Sequence, residues 1–70
     1  MKEYFVIFEW TGHNYSAYVP DLPGCITTGK TPDETERNIR EAIDLYLDAL
    51  REEGKPIPEP TTTARPAASG

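Results

Sequence analysis

The chain has 70 residues, enough for one small domain. Twelve acidic against 7 basic residues give a net charge of −5, a balance that argues against a bare nucleic-acid binder, whose phosphate contacts need clustered Lys and Arg. Apolar residues make up 37% of the chain, a thin core, and a core of that size seldom supplies more than ~3–5 kcal/mol. Assembly with other copies is the expected supplement. Cys25 has no partner in the chain for a disulfide. An unpaired thiol and the lack of a signal peptide point to the cytoplasm. No apolar run is long enough to span a membrane.

Tyr4-Phe5-Val6-Ile7-Phe8, running on to Glu9-Trp10, is β-branched and aromatic without Gly or Pro. Such a run predicts a strand covered on both faces. Thr11-Gly12-His13-Asn14 supplies turn chemistry, and Tyr15-Ser16-Ala17-Tyr18-Val19 alternates as a half-buried strand, so the two form a hairpin. A four-residue loop sets Trp10 opposite Tyr15, Phe8 opposite Ala17 and Val6 opposite Val19, which gathers apolar groups on one face. Phe5, Ile7 and Tyr18 then lie on the other face, where the chain has no second helix to cover them. That patch is the candidate oligomer interface, with partial cover by the tail as the alternative.

Pro20-Asp21-Leu22-Pro23-Gly24 is a stiff link, with Pro23-Gly24 suited to the centre of a type II turn. Cys25 to Thr28 makes a short third strand that ends at Gly29. Thr31-Pro32-Asp33-Glu34 opens a helix: Thr31 caps, Pro32 takes the first helical position and Glu34 completes a capping box. The helix runs to about Glu53, where Gly54 stops it and Pro56 forbids continuation. Ile39, Ala42, Ile43, Tyr46, Leu47 and Leu50 recur as one apolar stripe along it, to be laid on a sheet face. Beyond Gly54, the prolines at 56, 58, 60 and 66 predict extended chain. Thr61 to Arg65 has the composition of a weak edge strand. The resulting division is a β-β-β-α domain over residues 1–60, an edge strand over 61–66 and a disordered tail over 67–70. The fold class is α+β in two layers, an antiparallel three-stranded sheet under one long helix with a fourth strand after it.

Glu9, Asp21 and Asp44 or Asp48 are the one set of carboxylates that could hold Mg²⁺ for phosphodiester cleavage. Helical angles of ~100° per residue put Asp44 and Asp48 on the side opposite the apolar stripe, so they do not converge with Glu9. A nuclease site is rejected. His13 lies in a turn with no Ser, Cys or carboxylate placed to work with it, and Cys25 has no nearby cation to lower its pKa. Burial as a small apolar residue is the simpler role for Cys25. No phosphate loop or metal-ligand spacing occurs, so no cofactor, metal or catalytic residue is expected and the chain does not read as an enzyme.

The helix charges say more. Its first half is balanced by Asp33 with Arg37, Glu36 with Arg40 and Arg40 with Asp44. Its second half carries an acidic stripe of Glu41, Asp44, Asp48 and Glu52, only partly offset by Arg51. Repulsion at i,i+4 costs ~0.2–0.5 kcal/mol per pair in an isolated helix. Charge complementarity to a basic partner would account for that cost, and plain solubility accounts for it as well.

Val19-Pro20-Asp21-Leu22-Pro23-Gly24-Cys25, then Gly29, Thr31 with Glu34, Asn38-Ile39-Arg40-Glu41-Ala42-Ile43 and a closing Ile57-Pro58-Glu59-Pro60 together resemble the HicB-like antitoxin family. The likeness covers roughly residues 4 to 60, and the combined pattern is specific. It implies a β-β-β-α-β domain of partial ribonuclease H-like fold, without that nuclease's acidic cluster and with the fourth strand beside the first. It also implies a HicA-type toxin, a small basic ribonuclease, as the partner to be neutralised by binding and occlusion. Full-length members carry a C-terminal DNA-binding module. A chain ending at Gly70 leaves no room for one, so direct DNA binding is not expected. The alternative is an oligomeric scaffold or ligand-binding domain without a toxin.

Overall fold

The computed structural model describes residues 3–67. Three strands, β1 (Ile7–Trp10), β2 (Tyr15–Tyr18) and β3 (Ile26–Gly29), precede one helix, α1 (Pro32–Glu52). The strands form an antiparallel meander in the order β1-β2-β3. The fold is therefore α+β, an open three-stranded sheet with a helix on one face. The hairpin register agrees with expectation: Trp10 pairs with Tyr15 and Phe8 with Ala17. The Trp10 and Tyr15 rings meet at a centroid distance of 4.9 Å, tilted by 55°. Thr11 N–H closes the turn on the Asn14 carbonyl at 2.9 Å, and Gly12 takes the positive φ of 108° that the turn requires.

Local chemistry sets both helix ends. Thr31 is extended, and its hydroxyl accepts from Glu34 N–H at 3.1 Å. The Glu34 carboxylate reaches back to Lys30 N–H, one residue before the cap, so the reciprocal half of the capping box is shifted by one position. At the other end Gly54 adopts φ +70°, Gly54 N–H bonds to the Arg51 carbonyl at 3.1 Å and Lys55 N–H to that of Leu50 at 2.9 Å. This paired closure is a Schellman motif.

The core lies between α1 and the β2–β3 half of the sheet. Ala17, Val19, Leu22, Cys25 and Ile39 are buried, with Tyr4, Val6, Ala42, Ile43, Tyr46 and Leu47 packed around them. The predicted helix stripe is thus the face that packs. Thr35, one turn before Ile39, is fully buried and extends that face; its hydroxyl is satisfied by the Thr31 carbonyl at 2.7 Å. Beside it the end of β3 comes into backbone contact with the helix at Gly29. Leu22 converts the stiff link into a lid on the core, and the link is held by Leu22 N–H to Val19 O and Cys25 N–H to Leu22 O.

Two expectations change. The first apolar run was predicted as a strand covered on both faces, yet it is a strand only from Ile7, and every residue of β1 is exposed. Phe8 and Trp10 are exposed because the single helix lies over β3 and β2 and leaves β1 without a layer above it, and Ile7 and Glu9 because they belong to the face without a helix. The second concerns the edge strand predicted over residues 61–66. Those residues form no strand and no ladder with β1. Instead both oxygens of the Asp21 carboxylate accept from the Thr61 and Thr62 backbone N–H groups and hydroxyls at 2.9–3.0 Å. A second tie upstream is the Tyr4 hydroxyl, which donates to the Pro58 carbonyl at 2.6 Å. The tail predicted over 67–70 lies, apart from Ala67, outside the described residues.

Candidate functional site

The residues singled out for chemistry do not come together. Glu9 is on β1, Asp21 in the β2–β3 link, and Asp44 and Asp48 are exposed on α1. Among the described residues no group of three His, Cys, Asp or Glu side chains could share a metal ion. The four donors around Asp21 hold its pKa below the usual carboxylate range, with the Thr62 backbone N–H the largest cause, so this acid acts as an anchor for the tail. Cys25 is buried, and desolvation pushes its thiol pKa up, the reverse of what a nucleophile needs. His13 is exposed in the hairpin turn.

What the fold does present is surface. The outer face of the sheet, away from α1, carries a row set by the register: Ile7 beside Tyr18, and Tyr18 beside Ile26. Ile7 is 37% exposed and Ile26 62%. Tyr18 between them is half-buried. The next row, Glu9, Ser16 and Thr28, is polar, so the apolar band stops halfway along the sheet. Ile7 and Tyr18 lie on the face that alternation gives them, whereas Phe5 precedes the paired strand and lines the space between β1 and α1. Ile26 was missed, although its place opposite Tyr18 follows once the third strand is put in antiparallel register.

The second surface is acidic. Glu41, Asp44, Asp48 and Glu52 are all exposed along α1. Asp48 pairs with Arg51 at 2.9 Å, and Arg40 pairs with Glu36 at 2.9 Å. Arg40 therefore turns toward Glu36, and among the described residues Asp44 forms no ion pair. All of these paired side chains are at least half exposed, so each bridge is worth well under ~1 kcal/mol. Among the described residues no helix is long and apolar enough to cross a membrane.

The comparisons with known proteins join these observations. Residues 4–69 match the family model described as the HicB-like antitoxin of bacterial toxin–antitoxin systems. A UPF0150 protein of Thermoplasma acidophilum is 41% identical over 58 residues, which are 83% of this chain and 84% of that one. A UPF0150 protein of Helicobacter pylori is 48% identical over 44 residues, 63% of this chain and 61% of its relative. Among solved structures, a chain of a HicA3 and HicB3 toxin–antitoxin complex superposes with a TM-score of 0.72 at 32% identity, covering 86% of this chain and 70% of that one. With the sequence pattern, the meander-plus-helix fold and these likenesses in agreement, the chain belongs to the HicB-like antitoxin family.

Proposed function

We propose that this chain neutralises a small basic ribonuclease of the HicA type, in the cytoplasm, by binding it and occluding its RNA-holding surface. The observation that carries this reading is the likeness, at 32% identity, to a chain of a HicA3 and HicB3 complex. The charge distribution supports it. A ribonuclease surface built to hold phosphates is cationic, and a domain with a net charge of −5 and an exposed acidic stripe is steered toward it. Occlusion asks for no catalysis by the chain itself.

The test is association of the purified chain with a HicA-type toxin across a salt series, together with protection of an RNA substrate. Asp44→Lys with Asp48→Lys is expected to slow association by about tenfold at low salt and to flatten the salt dependence. Both side chains are exposed, so the substitutions leave the fold intact. An association rate and inhibition that both stay unchanged would remove the acidic stripe from the interface.

A specific observation also favours self-association: the exposed Ile7 and Ile26 on either side of Tyr18. An isologous dimer would bury this row against its own copy. Sedimentation should give a dimer or larger species at micromolar concentration that Ile26→Lys returns to the monomer. A folded parent monomer under those conditions would sink the idea.

A further inference from the structure

Because α1 packs on β3 and β2, an open trough of about 700 Å³ remains between β1 and the helix. Its apolar lining is Tyr4, Phe5, Val6, Phe8, Ile39 and Ile43. Its charged lining is Glu3, Glu36 and Asp44 with Arg40, three carboxylates against one guanidinium, and Arg40 is already held by Glu36 at 2.9 Å. One wall of this trough is the edge of a sheet.

That edge is open. β1 pairs with β2 on one side, and among the described residues no strand lies on the other. The opposite edge is treated differently: the Asn38 side chain donates to the Thr28 carbonyl at 2.9 Å, and the helix start packs against Gly29. The described part of the tail does not fill the open position, and Thr61 and Thr62 spend their N–H groups on Asp21. An unguarded edge is a template for another strand.

We infer that the trough takes an extended basic segment of the partner protein as an added strand beside β1; this rests on the toxin-binding reading above. Main-chain hydrogen bonds run along the edge, about 13 Å for a strand the length of β1. The side chains of the segment that point to the helix face drop onto Val6, Phe8 and Ile43, and Lys or Arg among them meet Glu36 and Asp44 at the helix rim. Charge selects this occupant over a second copy of the chain, which would bring its own −5 to an acidic rim. Asp44 belongs to both the trough and the helix stripe, so steering and docking share one residue.

The experiment is amide hydrogen exchange on the full chain, free and saturated with a purified HicA-type toxin, with binding measured for three variants. In the complex, amides within Ile7–Trp10 that exchange freely in the unbound chain should slow at least tenfold. Phe8→Lys and Asp44→Lys should each weaken binding at least tenfold. Glu53→Lys makes the same change in net charge as Asp44→Lys, and a larger one than Phe8→Lys, at the far end of the helix and should stay within twofold. Exchange at β1 that is unchanged in a saturated complex overturns the inference and leaves toxin binding standing. Slowing that develops in the chain alone as its concentration rises assigns the edge to a second copy, and also overturns it. Failure to form any complex instead brings down the toxin-binding reading, and the inference with it.

Discussion

Gly29→Ala tests the joint between the sheet and the helix. Gly29 ends β3 opposite Tyr15, and a Cβ there would lie 2.5 Å from the Thr35 hydroxyl oxygen, 2.8 Å from Thr35 N and 2.9 Å from its Cα. Two of these atoms are helix backbone, so no rotamer change relieves the contact. The helix must move off the sheet or the strand end must bend. Overpacking of this kind costs about 1–3 kcal/mol, and the ~0.5–1 kcal/mol gained by removing a strand glycine offsets only part of it. With the rigid backbone setting the upper half of the range, the net loss is about 2 kcal/mol. In a domain of this size that lowers the melting temperature by roughly 8–16 °C, readable by circular dichroism. Adding Thr35→Ala should not restore the loss, because the backbone nitrogen and Cα remain. A Gly29→Ala melt within ~2 °C of the parent, or above it, would refute a close approach at this joint.

Leu22→Ala should cost about 2–5 kcal/mol, comparable with the whole stability of so small a core, and leave the chain largely unfolded by urea titration at 25 °C. The tail clasp should depend on pH with a definite sign. The folded pKa of Asp21 is depressed, so its stabilising share is complete above the unfolded carboxylate pKa of ~4 and is lost as pH falls through the lower folded value. Thr61 and Thr62 amide resonances should shift together in that acid window, and Asp21→Ala should release them at neutral pH. Cys25, buried and with its thiol pushed up, should react with a thiol reagent at pH 8 only as fast as the chain opens. Labelling at the rate of a free thiol would contradict its burial.

Sequence legibility followed the range of the interactions. Thr31 with Glu34 and Gly54 with Lys55 act within one helical turn, so both helix ends could be read directly, and a four-residue turn was enough to set Trp10 against Tyr15. The stripe from Ile39 to Leu47 is a property of one helix and was equally plain. The β1 run looked buried because its composition suits burial. Its exposure depends on how far one helix reaches across a sheet, which no window of sequence contains. Asp21 drew notice as a metal candidate, but its partners lie 40 and 41 residues away, and nothing local announces them. For the candidate surfaces, Ile7 and Tyr18 followed from alternation, whereas Ile26 needed the register of the third strand and Phe5 falls before the paired strand begins. The trough required the helix position as well as the strand.

That long-range clasp has a consequence in time. The meander and the helix caps join residues close along the chain and can form early, whereas the clasp and the Tyr4–Pro58 tie, 54 residues apart, must wait for most of the chain to be in place. None of residues 53–67 is buried, so the clasp should open by itself, long before the core does. The molecule would then release its last thirteen or so described residues as a unit, and relock them, many times within the life of one folded chain.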